Sequence, residues 1–304
     1  MLRHFCERKP GRTLSLRPTK TCFCSVGNSF SVCKLCFMNP ARFFVVKSTS
    51  FRRANGSAVV CRLGAKMCKE LKTKLFHLLP STSNGSTTHQ ELQTDGAEIL
   101  SCTVKALKDG HVVAVPTDTI YGLACLAQNS EAVQKIYNLK ERNGVKPLAI
   151  CVGEIQEIYK YCKVKVKGEL LDDLLPGPVT LVFERSEALN TNLNPFTSLV
   201  GVRIPDHAFM RRLCQMCGEP LALTSANISS QTSTVEVQEF QELWPKLAVV
   251  VDGGPIGDQS RLGSTVIDLS VLGKYRIIRP GCALASTLDL LERKFGLSED
   301  PGEE

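Results

Sequence analysis

The sequence contains no apolar run long enough to cross a membrane. A transmembrane helix needs roughly 18 or more consecutive apolar residues, and no stretch of the 304-residue chain approaches that length. The chain is nevertheless 43% apolar, which is enough to build one large hydrophobic core or two small ones. We therefore expect a soluble protein with a buried core and no transmembrane segment.

Several common active-site motifs are also missing. The sequence has no GxxxxGK[ST] phosphate loop, no GxGxxG dinucleotide fingerprint, no GxSxG nucleophile elbow and no HExxH zinc motif. If the protein binds a nucleotide, it does so through a different architecture.

The 14 cysteines do not form a regular framework. Cys33 and Cys36, and likewise Cys214 and Cys217, have the spacing of half a zinc knuckle. Neither pair has a second CxxC or a spaced pair of histidines nearby. We therefore expect reduced thiols in an intracellular compartment, and no metal ion held by protein side chains.

Acidic residues are scarce at the amino-terminal end. Residues 1–90 carry 16 Lys and Arg but only Glu7 and Glu70 as acids, a net charge of +14. Residues 91–304 carry 21 Lys and Arg and 28 Asp and Glu, a net charge of −7. A basic, acid-poor start is typical of mitochondrial transit peptides, although a disordered basic arm has the same composition. The acidic remainder lacks the positive charge of a nucleic-acid-binding domain.

Composition also predicts the domain boundaries. We expect a targeting or disordered arm over residues 1–70 and a linker over 71–92, which includes the Ser- and Thr-rich segment 80–89. A single folded domain should cover 93–297, with an acidic tail over 298–304.

Strand and helix patterns alternate through the predicted domain. The apolar patterns predict eight strands, at 112–115, 148–152, 179–183, 199–204, 221–224, 248–251, 265–269 and 275–278. Helical spacing predicts seven helices: one from Asp95 to the stop at Gly110, one capped by Ser130, and others at 155–162, 170–175, 207–217, 235–244 and 286–295. This alternation predicts an α/β domain with a twisted sheet, and the close spacing of the last strands makes that sheet mixed.

Polar side chains follow the first predicted strand directly. Thr117, Asp118 and Thr119 come after Pro116, which cannot donate a ladder hydrogen bond. Hydroxyls and a carboxylate at a strand end are typical of ligand sites in open α/β sheets. The same residues also suit an ordinary polar turn.

Three cations lie within seven residues at the end of the second helix. Lys140, Arg142 and Lys146 surround Asn143-Gly144, where the helix should unwind and let them converge on one anion. Arg matches phosphate or carboxylate geometry and Lys acts as a mobile point charge. A solvated helix end is the alternative interpretation.

Small polar residues follow later strands. Thr224 to Ser230 could admit a ligand to the backbone or simply start the next helix. Ser264, Arg279 and Arg203 occur at further strand ends. Together, these groups indicate an anionic ligand that carries phosphates.

Seven of these segments, in this order, are similar to the YrdC family. They are VPTDTIYGL, KxRxxxKPL (Lys140, Arg142, Lys146, Pro147 and Leu148), PGPVTLV, VRIP, TSANxS, GSTVID and RPG, and the resemblance covers roughly residues 95–297. It implies a twisted α/β sheet around a large concave cavity. It also implies the synthesis of L-threonylcarbamoyladenylate and pyrophosphate from L-threonine, bicarbonate or CO2, and ATP, for N6-threonylcarbamoyladenosine at position 37 of tRNAs reading ANN codons.

The resemblance also implies roles for individual residues. L-threonine would be bound by Thr119, Arg203 and Ser264. ATP would be bound by cations, hydroxyls and one amide: Arg142, Lys146, Ser225, Asn227, Ser233 and Arg279. The implied catalytic residues are Lys140, Arg142 and Lys146, which would neutralise charge on the phosphates together with Mg²⁺ that accompanies ATP. Glu141 and Cys151 depart from the family pattern, which commonly has Gly and, in many microbial members, a threonine-holding His at these positions.

The acid-poor amino-terminal composition leads us to expect a mitochondrial as well as a cytoplasmic location. The resemblance further implies hand-over of the product to the tRNA threonylcarbamoyltransferase complex, and weak tRNA or RNA binding. Two alternatives belong to other classes. One is a non-catalytic module that binds double-stranded RNA or tRNA, which the net negative body disfavours. The other is a carbamoyl-transfer enzyme of related fold that uses carbamoyl phosphate, but the acylphosphatase and zinc-finger modules of such enzymes are not found in this sequence.

Overall fold

The computed structural model describes residues 72–78, 89–140, 146–228, 231–257 and 260–301, and for residues 89–95 only the backbone. The predicted basic arm over 1–70, its possible targeting role and most of the Ser- and Thr-rich segment lie outside the described residues. All described residues belong to one compact unit. None of their helices is long and apolar enough to span a bilayer.

The described residues form one mixed sheet of twelve strands. The strands are β1 (Lys74–His77), β2 (Val113–Val115), β3 (Gly122–Leu126), β4 (Ala149–Cys151), β5 (Cys162–Lys163), β6 (Val179–Arg185), β7 (Leu199–Arg203), β8 (Leu221–Ser225), β9 (Val249–Asp252), β10 (Thr265–Asp268), β11 (Lys274–Arg279) and β12 (Ser298–Glu299). Their order across the sheet is β1-β9-β2-β3-β8-β4-β7-β6-β10-β11-β12, and β5 pairs with β6. The predicted mixed sheet is confirmed, since β4 runs parallel to β7 but antiparallel to β8.

Six α-helices flank the sheet in the described residues. They are α1 (His89–Lys108), α2 (Ser130–Leu139), α3 (Ile155–Tyr161), α4 (Gly168–Leu174), α5 (Ala208–Cys217) and α6 (Leu284–Asp289). The predicted helix at 235–244 is a 3₁₀ helix, Val237–Lys246, which is irregular at Phe240. A π-helical segment, Leu290–Lys294, continues α6 within the predicted helix 286–295.

Side chains on one face of the sheet build the larger core. Leu181 and Phe183 of β6 are completely buried there, together with Val202 of β7 and Ala222 of β8. The other face is covered only in part. At the β9-β2-β3-β8-β4 side it packs against α1 and α5, which also contact each other. Beyond β4 this second face is open, and this opening positions the site described below.

The predicted boundaries differ from the structure at both ends of the domain. Residues 74–77, assigned to the linker, form β1, which pairs in parallel with β9 and packs Phe76 against the core. Helix α1 begins at His89, before the predicted start of the domain at 93. Residues 298 and 299 of the predicted acidic tail pair with β11 as β12. The domain therefore extends further in both directions than composition indicated.

Two local predictions need correction. Helix α2 is capped by Asn129 and not by Ser130, because the Asn129 carboxamide accepts the hydrogen bond from the Ala132 N–H. The stretch after Pro116 is a hairpin turn that leads into β3, a strand missing from the sequence prediction. In contrast, the stops at Gly110 and Gly218 are confirmed, since both residues adopt positive φ just after a helix.

Candidate functional site

A cavity of about 780 Å³ occupies the open part of the second sheet face. Successive residues of a strand point to opposite faces, and on β6 and β7 every other residue lines the cavity. On β6 it is lined by Thr180 and Val182, whereas Leu181 between them points into the core. Gly201 and Arg203 of β7 line it in the same way. One strand thus supplies core on one side and site on the other.

The cavity has strong positive charge. Its lining contains five basic residues and a single acid, drawn from the described residues: Lys140, Lys146, Arg203, Arg276, Arg279 and Asp268. Asp268 is nearly buried and forms an ion pair with Arg276, at 3.2 Å between Oδ2 and Nη2. Since residues 91–304 carry net negative charge, this concentration of cations is local and suits an anionic ligand.

Arg203 lies buried at the junction of β7 with the turn after β2. Its side chain is 7% exposed and its Nη2 donates to the Asp118 carboxylate, which is 8% exposed. The second oxygen of Asp118 accepts the Asp206 N–H at 2.9 Å. The Arg203 Nε–H is buried and has no hydrogen-bond partner among the described residues. A buried donor without a partner is costly, so the guanidinium of Arg203, which lines the cavity, retains unused hydrogen-bonding capacity.

The two threonines of the same turn have different positions. Thr117 lines the cavity, and its hydroxyl donates to the Ile120 carbonyl at 2.7 Å. The Thr119 hydroxyl lies 3.2 Å from the Thr117 hydroxyl and 3.4 Å from Arg203 Nη2. Thr119, which was predicted to bind threonine, is not among the lining residues. It contacts Thr117 and Arg203, which both line the cavity.

Lys140, one of the predicted catalytic residues, is buried, at 1% exposure. Its ammonium donates to the Ser225 carbonyl at 2.8 Å, to the Ser225 hydroxyl at 3.3 Å and to Asn227 Oδ1 at 2.7 Å, and also to the Asn227 carbonyl. The Ser225 hydroxyl in turn lies 2.6 Å from Asn227 Oδ1. Lys140 therefore joins the end of α2 to the loop after β8.

Three further predicted residues line the cavity. Ser264 and Arg279 lie at β10 and β11, and Ser233 lies on the loop after β8. Arg279 donates to the Ser264 carbonyl at 2.7 Å and lies 3.2 Å from the Ser264 hydroxyl. That hydroxyl is also 2.8 Å from the Thr180 hydroxyl. Burial, and then the charge of Arg203, lower the pKa of the Arg279 guanidinium below its ordinary value, so the two cations share one electrostatic environment. The backbone carbonyl of Ser233 accepts a hydrogen bond from Arg261 at 3.0 Å.

The loop between α2 and β4 carries the predicted cations, and its residue Lys146 lines the cavity. Residues 141–145, including Arg142 and Glu141, lie outside the described residues. Cys151 is fully buried and its thiol packs 3.6 Å from that of Cys214 on α5. It is not among the lining residues.

The structure adds residues that sequence reasoning missed. Thr180 lies within the PGPVTLV motif, but nothing in that motif marked its hydroxyl as part of the site. Alternation along β6 could have found it, because a polar residue between Val179 and Leu181 faces away from the core. Arg276 and Asp268 gave no signal, since their pairing depends on the register between β10 and β11.

Comparison with known proteins identifies the family. A family model named Sua5_yciO_yrdC, with the description telomere recombination, matches residues 105–281, more than half of the chain. The chain belongs to the Sua5/YciO/YrdC family.

Relatives in this family include threonylcarbamoyl-AMP synthases from cattle and human. The Bos taurus protein is 52% identical over 274 residues, which cover 87% of this chain and 99% of the relative. The Homo sapiens protein is 62% identical over 204 residues, covering 66% of this chain and 73% of the relative. A crystal structure of P. abyssi Sua5 complexed with L-threonine has a TM-score of 0.62 at 25% identity, covering 76% of this chain and 63% of the Sua5 chain. The resemblance stated from the motifs is therefore confirmed.

Proposed function

We propose that this protein is a threonylcarbamoyl-AMP synthase, an enzyme that transfers the adenylyl group of ATP to N-carboxylated L-threonine. The observation that carries the proposal is the cavity itself, which is lined by five cations from four segments of the chain, among them the buried guanidinium of Arg203, whose Nε–H has no partner among the described residues. Relatives of this name, and a relative with bound L-threonine, support it.

The chemistry requires an amino acid beside a nucleotide. The threonine amine and bicarbonate give a carbamate and water. A carbamate oxygen then attacks the α-phosphorus of ATP, the bond from that phosphorus to the β-phosphate bridging oxygen breaks, and pyrophosphate leaves. Carbamates decompose in water, so a deep cavity that limits solvent protects the intermediate.

We assign the threonine site to the buried end of the cavity. Arg203, which is held by Asp118 and lines the cavity, binds the threonine carboxylate through its guanidinium, a charge-assisted bond. Thr119 and Ser264 supply hydroxyls, the first in contact with Arg203 and the second with Thr180. Ser264 also contacts Arg279, so the threonine site adjoins the ATP site.

The ATP site consists of the remaining cations and hydroxyls. Lys146, Arg142 and Arg279 neutralise charge that builds on the transferred phosphoryl group and on pyrophosphate. Ser225, Asn227 and Ser233 line the cavity on the loop that would face the phosphates, and Lys140 fixes the part of this loop that carries Ser225 and Asn227. Catalysis in this arrangement comes mainly from positioning and charge neutralisation, with no protein nucleophile.

Mg²⁺ would enter with ATP as part of the substrate and neutralise phosphate charge. In the described part of the chain, no group of three or more His, Cys, Asp or Glu could hold a metal ion. Asp268, the acid among the lining residues, already pairs with Arg276. These residues fit a metal that is carried by the phosphates.

We further propose that the product serves tRNA modification, with hand-over to the tRNA threonylcarbamoyltransferase complex, in cytoplasm and mitochondria. The basic, acid-poor composition of residues 1–70 supports the mitochondrial location.

Mass spectrometry of the endogenous amino terminus tests the mitochondrial location, because import should remove part of this arm. An intact arm in purified mitochondria contradicts cleavage.

One assay tests the proposed reaction. The full-length chain is expected to release pyrophosphate from ATP only when L-threonine and bicarbonate are both present, because neither alone forms the attacking carbamate. With ¹³C-bicarbonate, mass spectrometry should find the label in a threonine–AMP adduct. Pyrophosphate release that does not depend on threonine, or an unlabelled adduct, contradicts the proposal.

A further inference from the structure

Asn194 lies outside every motif that led to the site. It is 1% exposed and has φ of 53°, a conformation that few non-glycine residues adopt. Its side-chain amide makes three hydrogen bonds, each of 2.8 Å. The Leu148 N–H and the Tyr137 hydroxyl donate to Oδ1, and Nδ2 donates to the Leu148 carbonyl.

The side-chain amide of Asn194 makes the two backbone hydrogen bonds that a neighbouring strand would otherwise make to Leu148. Leu148 immediately precedes β4, and the pairing of β4 with β8 begins only at Ala149. Since Leu148 is buried, its N–H and carbonyl need partners inside the protein. Asn194 satisfies both groups and thereby fixes the backbone at the point where the chain enters the sheet.

Fixing Leu148 restricts Lys146, two residues earlier. Pro147 between them has φ locked near −65°, and a residue before proline is confined to extended conformations. Few backbone rotations therefore separate the fixed Leu148 from the Cα of Lys146, which lines the cavity.

The same oxygen also holds α2. Tyr137 lies in the last turns of this helix, three residues before Lys140. Lys140 in turn binds the loop of Ser225 and Asn227. One amide thus connects the helix that ends at Lys140 with the strand that begins after Lys146.

We propose that Asn194 is a positioning residue that clamps α2 to the start of β4 and so sets the spacing of Lys140 and Lys146 around the ATP phosphates. This inference rests on the proposed function. It gives Asn194 no contact with substrate. Its loss should weaken the use of ATP and leave threonine binding, which depends on Arg203 and Asp118, nearly unchanged.

The test compares three variants of the full-length chain. Asn194→Gly removes all three hydrogen bonds while tolerating the positive φ. We expect the KM for ATP to rise about fivefold in Tyr137→Phe, which loses its bond to Asn194, and about 100-fold in Asn194→Gly, which loses all three bonds, at roughly 1 kcal/mol per lost bond. The KM for threonine should change less than about twofold, below the effect of one such bond. Asn190→Ala is the control, since Asn190 lies in the same segment but bonds to Ala127 and Ser130 instead.

Activities are measured below the melting temperature of each variant, so that a folding defect does not mimic a kinetic one. Equal rises in both KM values, or an unchanged KM for ATP, would overturn the clamp. If Asn194→Gly does not fold, Tyr137→Phe decides the question by the same criterion. Calorimetric affinity for a non-hydrolysable ATP analogue is measured in parallel, so the clamp can be judged even if wild-type turnover proves independent of threonine.

Discussion

Replacing Arg203 with alanine is expected to lower kcat/KM for threonine by about 100-fold or more, because a buried charge pair with a ligand is commonly worth about 3 kcal/mol. The loss should fall mainly on threonine, since Arg203 lies with Asp118 and Thr119 at the buried end of the cavity. Steady-state pyrophosphate release against threonine concentration measures the effect. Normal turnover of the variant would remove Arg203 from the threonine site.

The same change should also destabilise the fold, which the experiment must separate from catalysis. Asp118 is nearly buried, and without Arg203 its charge has lost its ion-pair partner. Breaking a buried pair in this way costs about 3–5 kcal/mol. The double variant Asp118→Asn with Arg203→Gln removes both charges and should recover much of that stability in urea denaturation, but none of the activity. Recovered activity in the double variant would show that the guanidinium is dispensable.

Gly281→Ala is expected to cost about 3 kcal/mol or more of unfolding free energy, the upper end for overpacked sites. A Cβ there would lie 2.3 Å from the Thr265 nitrogen, 2.4 Å from the Ser264 carbonyl carbon and 2.5 Å from the Gly263 oxygen. These are backbone atoms, so the segment that carries Ser264 must move. We therefore expect activity to fall even in the folded fraction.

A matched control is available in α1. Gly96 is helical, and a Cβ added there would meet no described neighbour within 4 Å. Gly96→Ala should stabilise the protein by about 0.5–1 kcal/mol, because alanine loses less conformational freedom in a helix. Urea denaturation of both variants gives the comparison. A Gly281→Ala protein as stable as Gly96→Ala would mean that the loop before β10 can shift without cost.

The sequence was most informative where an apolar strand ends in polar residues. The clusters at Thr117, Lys146, Ser225, Ser264 and Arg279 were predicted as parts of one anion site, and the cavity brings them together. Local patterns sufficed because strands of one sheet place their ends within reach of each other. The alternation of helices and strands likewise predicted the mixed α/β fold.

Features that depend on distant partners could not be predicted. Strands β5 and β12 have two residues each and exist only through their neighbours. Strand β3 contains glycine, alanine and cysteine, which are weak strand signals. The charge of Lys140 indicated phosphate binding, but its contacts with Ser225 and Asn227 lie 85 or more residues along the chain. The role of Asn194 depends on a backbone strand end 46 residues away, which no local pattern reveals.

The place of β10 in the sheet has a consequence for biosynthesis. Strand β6 pairs with β7 on one side. On its other side β5 pairs only with Glu184 and Arg185, and Val179–Val182 wait for β10, which is made more than 80 residues later. Until then a growing chain carries an unpaired strand edge, the feature that invites association between chains. Arg279 follows later still, as the last residue of β11. The pocket is therefore complete only after β11 has been made, and nascent chains need shielding at β6 until β10 and β11 arrive.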